Sequence, residues 1–327
     1  MLLIPIPNMP GVCTARRRRC AAQNFEDKGR FNMPTYNHPL LFGALLETPS
    51  GRPLEVLRLA DSAESCGLDV VSLPDHPYWP DRLDTFTLLS AIAQRTARIR
   101  LLCNVANLPL RPPAFLARVG ATLDWISDGR FDLGIGAGAQ QLWDLIVAEG
   151  GPRRGAAESV DALEEAVQII RELWSPSARV SFDGNHYRLD EAEPSPLASG
   201  SIGIWVGGYR ARMLGIIGRL ADGWISSSPM CSPADIAAGN ELIDAAAESA
   251  GRARDSIRRG YNIEVKFDAS DKGFLQGRSN KIAKELAELS LTQGVSMYLL
   301  YRVESADTLS RFAEEVVPVV REMVEAG

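Results

Sequence analysis

The chain has 327 residues, 46% of them hydrophobic and 23% charged, with a formal net charge of −6, enough to bury one large core. This mildly acidic balance offers no electrostatic footprint for nucleic acid or an anionic membrane, and no apolar run approaches the roughly 20 residues of a membrane helix. Five scattered cysteines without a C-x-x-C pair, and three histidines (His38, His76, His186) far apart, give no disulfide framework and no metal motif; a cytoplasmic location fits best.

Met1 to Met33 opens apolar and turns basic at Arg16–Arg19, the reverse of a secretory signal. Residues 1–36 are expected to be a disordered extension, or to follow from a start placed too early with Met33 the true one; residues 37–327 read as one domain. From there short apolar runs alternate with stretches of helical period. Leu40–Leu46 reads as a strand, followed by a helix over Pro53–Cys66, with Pro53 suited to its first turn and Gly67 to its stop. A strand at Asp69–Leu73, a Pro-rich aromatic loop over Pro74–Pro80 and a helix over Asp84–Thr96 come next. Then come a strand at Ile99–Val105, a helix over Pro113–Ile126 and a strand at Phe131–Ile135.

A long amphipathic helix is expected over Ala156–Trp174, then a ribbon over Val180–Leu189 turning at Asp183-Gly184-Asn185. Strands at Ile202–Val206, Gly223–Ser226, Tyr261–Phe267 and Val295–Leu300 follow, with helices over Arg210–Leu220, Pro233–Ala250, Lys281–Leu291 and Ala306–Glu325. Eight such βα units define an α/β protein with a closed parallel (β/α)8, or TIM, barrel. In this architecture reactive groups come from the loops after the strands, which restricts the search for chemistry.

Gly134-Ile135-Gly136-Ala137-Gly138-Ala139 matches the dinucleotide fingerprint, but three βα units precede it, which makes a Rossmann dehydrogenase the weakest reading. At a barrel strand end the same glycines would let a flat ring approach the backbone, or simply form a tight turn. Asp75-His76-Pro77-Tyr78-Trp79 after the second strand offers a proton donor or acceptor and an apolar wall. Asn104 and Asn107 end the third strand, where an amide can hydrogen-bond a heterocycle or terminate the strand. Gly207-Gly208-Tyr209-Arg210-Ala211-Arg212 leads into a helix N-terminus and suits a phosphate, with Ser226 and Ser227 able to add hydroxyls.

Asp75-His76, Arg98–Leu101, Thr122–Gly138, Phe182–Tyr187, Ile204–Gly208 and Leu220–Ile225 together resemble the bacterial luciferase-like monooxygenase family, over about Leu40 to Glu325. The Asp75-His76 loop with Trp79 is similar to the branch that uses coenzyme F420, a deazaflavin, rather than FMN. The resemblance implies that His76 and Trp79 stand beside the reactive carbon, and that the family's non-prolyl cis peptide falls at Asn104–Val105. It also implies that Asn107, Ala137 and Gly138 border the ring and linker, and that Gly207, Gly208, Arg210 and Ala211 border the phosphate. Sugar-phosphate dehydrogenases of the branch carry a catalytic Glu where this chain has Ala139, and a phosphate-binding Lys where it has Pro229 or Met230. The glycine usual before the cis bond is Leu102.

The expected function is therefore F420-dependent hydride transfer to an organic small molecule, as reduction of a C=C or C=N bond, with His76 as proton donor. The alternatives are an FMN-dependent monooxygenase and a catalytically silent flavin-binding accessory protein. A homodimer is expected by resemblance.

Overall fold

The computed structural model describes residues 36–175, 179–195, 201–303 and 305–326. Eight strands form a closed barrel: β1 (Leu41–Leu45), β2 (Val70–Leu73), β3 (Arg100–Asn107), β4 (Phe131–Gly136), β5 (Ile204–Gly207), β6 (Gly223–Ser227), β7 (Arg258–Ile263) and β8 (Val295–Tyr301). Each pairs in parallel with its sequence neighbours, and β1 closes on β8 through Leu41–Met297 to Leu45–Tyr301. Closure leaves no strand edge exposed.

Two apolar layers hold the barrel. The outer layer packs strand residues such as Phe42, Leu101, Phe131 and Tyr298 against the surrounding helices. The inner layer plugs the lumen with Leu45, Val70, Leu102, Trp205, Ile225, Met297 and Leu299, contributed by six strands. Leu102 thus has a structural use, because a glycine there would leave the plug a side chain short.

The helices follow the sequence reading closely: α1 (Pro53–Ser65), α2 (Thr85–Arg95), α3 (Pro113–Ser127), and, after a short α4 (Trp143–Ala148), α5 (Ala156–Trp174), α6 (Ala211–Leu220), α7 (Pro233–Ser249) and α8 (Ser279–Gln293). Asp84 caps α2 by accepting from the Thr87 N–H at 2.8 Å, and Gly67 ends α1 with φ +83°. Helix α4 has no counterpart in the sequence expectations, since six residues are too few for a helical period to register. The last helical stretch, Ala306–Ala326, contains a π-helical turn at Phe312–Val316.

Three expectations are corrected. Strand β7 ends at Ile263 and not at Phe267, because the Glu264 N–H turns to the Ser228 hydroxyl at 3.0 Å; Lys266–Phe267 pairs instead with Gln276–Gly277. Strand β5 begins at Ile204 and not at Ile202, because the Gly203 N–H is taken by the Asp132 carboxylate at 3.0 Å. Tyr36, assigned to the extension, is buried on the barrel, its hydroxyl donating to Asp244 at 2.8 Å and its ring under the Arg259 guanidinium at 4.0 Å. The remainder of the expected extension, residues 1–35, lies outside the described residues.

Several motifs that carried the resemblance are joints of the scaffold. Glu165 of α5 accepts the backbone N–H groups of Asn185, His186 and Tyr187 at 2.8–3.1 Å, pinning the ribbon of Val180–Asp183 and Arg188–Ala192. Asp222 accepts from the Ile204 N–H at 2.8 Å and from Arg171 at 2.9 Å. Arg130 bonds the carbonyls of Ala93, Thr96, Ile99 and Ser127. Such carbonyl fans satisfy loop backbone that would otherwise be buried without partners.

Candidate active site

Strand β3 is irregular where it reaches the mouth. Its register against β4 slips between Cys103 and Ala106, and the Asn104–Val105 peptide is cis. The displaced Val105 side chain lies over glycines of two neighbouring strands: a Cβ on Gly134 or Gly136 would fall 3.1 or 2.7 Å from its methyls, and one on Gly207 would fall 3.6 Å away. This corrects the reading of Gly134 and Gly136 as a surface for a flat ring, because Val105 already fills that space. The closed barrel likewise excludes the Rossmann reading of the motif.

Above the apolar plug sits a polar floor. With a period of two along each strand, Asn104 follows Leu102 and Ser227 follows Ile225 on the lumen side. Asn104 Nδ2 donates to Asn262 Oδ1 at 2.8 Å, and Asn262 Nδ2 donates to Ser227 Oγ at 3.0 Å, joining β3 to β7 and β6 across the barrel. Asn262 was missed from the sequence, although its lumen parity with Gly260 was available once the strand was placed. Asn262→Ala strands the Asn104 amide in a buried site, so chemical denaturation is expected to show a loss of about 1–3 kcal/mol.

The loop after β2 is anchored from below. The Asp75 carboxylate, 2% exposed, accepts from Arg111 Nε at 2.7 Å, Arg111 Nη2 at 2.8 Å and the Asn107 N–H at 2.9 Å. Arg111 also reaches Asp84 at 2.6 Å and lies 4.7 Å over the Phe86 ring. Asp75 is therefore saturated behind the mouth and acts on the site by positioning Asn107, not by facing a ligand. Asn107 is buried, and its Oδ1 has no hydrogen-bond partner among the described residues. An orphaned buried acceptor at the end of a barrel strand suits a ligand donor.

His76 and Trp79 stack 4.4 Å apart at 41°, and His76 Nδ1 lies 2.8 Å from the Tyr78 hydroxyl. Burial pushes the His76 imidazole below its ordinary pKa, against the pull of the Asp75 and Glu47 carboxylates. The ring is thus mainly neutral at neutral pH. Burial raises the Tyr78 phenol, which keeps its proton. Tyr78 packs with Trp143 and Ile146 of α4, so the loops after β2 and β4 share one apolar wall that also includes Trp79 and Leu142.

Against the same wall, Gly138 takes φ +87° beside Pro109, Trp143 and Ile146, and Ala137 is partly buried. Gly207 and Gly208 lead into α6, whose first-turn N–H groups follow Arg210 and Ala211, both exposed. The Gly208 carbonyl accepts from Trp224 Nε1 at 2.9 Å, and a Cβ on Gly208 would fall 2.3 Å from Met213, so only glycine fits this approach. Two contributions expected here are absent. Arg212 turns outward to pair with Asp161, and Ser226 is buried with its hydroxyl on the Gly260 carbonyl at 3.3 Å. Ser226 points into the barrel wall because it is one residue, and hence one face, out of phase with Ser227.

A closed parallel barrel with its glycines, amides and aromatic loop gathered after the strands is of the (β/α)8 class that works at the C-terminal mouth. The profile of the family described as luciferase-like monooxygenase matches residues 37–284, and the chain belongs to that family. It is 29% identical over 245 residues to the F420-dependent glucose-6-phosphate dehydrogenase of Nakamurella multipartita, covering 73% of this chain and 71% of that enzyme. The Mycobacterium avium enzyme of the same name is 31% identical over 226 residues, covering 66% of each chain. An F420-dependent secondary alcohol dehydrogenase in complex with an F420-acetone adduct superposes with a TM-score of 0.77 at 18% identity, covering 87% of this chain and all of that one, which supports the fold. Among the described residues no helix is long and apolar enough to cross a membrane.

Proposed function

We propose that the protein is an F420-dependent oxidoreductase that reduces a C=C or C=N bond in an organic metabolite. The observation that carries this reading is the orphaned Oδ1 of Asn107, whose backbone N–H is held by Asp75 of the His76–Trp79 loop. F420-dependent relatives support the choice of cofactor. Asn107, Ala137 and Gly138 would border the ring and its linker, and the α6 N-terminus with Gly207 and Gly208 would take the phosphate. When bound, the deazaflavin supplies the hydride and reacts poorly with oxygen.

The chain's own residues do the rest. Trp79, Tyr78 and Trp143 form an apolar wall that excludes water, and His76 holds the proton for the atom that receives it. A depressed pKa makes the imidazolium a stronger acid but a rarer one at neutral pH. Reduction is therefore expected to quicken as pH falls toward the lowered pKa of His76, with the rate lost as pH rises through it.

The test is fluorescence titration with F420, with FMN as competitor, followed by turnover of His76→Ala. Tight F420 binding, weak FMN binding and a loss of kcat of about 10²-fold or more with unchanged cofactor Kd are expected. Preference for FMN would move the assignment to an oxygen-using monooxygenase. Binding without turnover of any imine or enone would favour a silent flavin-binding protein.

A further inference from the structure

Tyr78 is 5% exposed, and its hydroxyl is 2.8 Å from His76 Nδ1, a contact in which either group could donate. Donor accounting decides between them. Among the described residues His76 Nδ1 is the one hydrogen-bond partner of this buried hydroxyl, and the Asn107 Oδ1 does not accept from it. If Nδ1–H donated to the phenol oxygen instead, the phenolic proton would be left in a buried site without an acceptor. The phenolic proton is therefore directed to the imidazole.

We propose that Tyr78 is a positioning residue that fixes the tautomer of His76, donating its phenolic proton to Nδ1 so that the neutral imidazole carries its own proton on Nε2. Nε2 takes no partner among the described residues. When His76 is charged, the same hydroxyl accepts from Nδ1–H, so Nε2–H remains the open donor in both charge states. The inference rests on the reading of His76 as proton donor for its consequence, but its geometry can be tested without turnover.

With only three histidines in the chain, ¹⁵N-histidine labelling gives a spectrum in which His76 is assigned by its loss in His76→Asn. Two-bond ¹H–¹⁵N couplings at pH above the His76 titration are expected to show a single Nε2–H tautomer in the wild type. Tyr78→Phe is expected to collapse that pattern to a mixture and to lower kcat while leaving the cofactor Kd unchanged. A wild-type His76 protonated on Nδ1, or a tautomer that does not respond to Tyr78→Phe, overturns the proposal. The wild-type spectrum decides alone if the variant does not fold. Full turnover in His76→Asn would sink the catalytic reading while leaving the tautomer result standing, so the two failures are distinguishable.

Discussion

Gly134→Ala is expected to destabilise the barrel by more than about 4 kcal/mol, the range reached when backbone must move to admit an atom. The added Cβ would stand 2.1 Å from the Cys103 carbonyl oxygen and 3.1 Å from a Val105 methyl. The obstacle is strand backbone, which cannot rotate away as a side chain can. Retreat is blocked on the other flank, where Gly134 is in register with Trp205 of β5. Gly136→Ala should cost less, because its nearest neighbour at 2.7 Å is a Val105 methyl. Gly51→Ala, with nothing within 4 Å, serves as the control and should change stability by less than about 0.5 kcal/mol. Urea or guanidinium denaturation of the three variants reads the order directly. A loss under about 1 kcal/mol for Gly134→Ala would mean that the β3 irregularity yields, and that the glycine has some other use.

Asp75→Ala carries the second large effect, about 3–5 kcal/mol, because removing one partner of a buried ion pair leaves the other uncompensated. Three donor contacts lose their acceptor, two from Arg111 and one from the Asn107 N–H. Arg111 keeps Asp84 at 2.6 Å and the Phe86 ring, which places the loss toward the lower end of that range. The freed Asn107 N–H also loosens the side chain proposed to meet the cofactor, so affinity should fall together with stability. Asp75→Asn, which keeps an acceptor of the same shape, should lose less of both. Denaturation midpoints and F420 titration on the same two variants separate the contributions. Wild-type stability in Asp75→Ala would show that Arg111 is held by Asp84 alone.

Much of the scaffold was legible because local rules and long-range packing agree there. Helix α5 was placed with both ends right, since its Val160, Leu163, Val167 and Ile170 repeat at helical spacing and Gly155 and Ser175 bound it. The strand count was legible because each strand is buried on both faces and reads as a short apolar run between turn residues. The cis bond at Asn104–Val105 was reached only through resemblance, since nothing in composition or period marks it. Helix α4 escaped because six residues carry too little helical period, and the true end of β7 because a hydrogen bond to the distant Ser228 hydroxyl decided it.

The sequence by itself determined which loops end strands, and therefore that His76, Trp79, Asn104, Asn107 and Gly207 lie at one end of the barrel. Only the tertiary structure decided what each of them faces. Asp75 sits in the same loop as His76, yet Arg111, 36 residues on, turns it into a buried anchor. Ser226 and Ser227 are chemically alike, and the phase of β6 sends one into the wall and the other to the floor. Gly134 reads as a nucleotide turn until Cys103 and Val105 are seen pressed against it. Period and propensity act over a few residues, whereas the direction of a side chain at the mouth is set by which strand lies across the barrel.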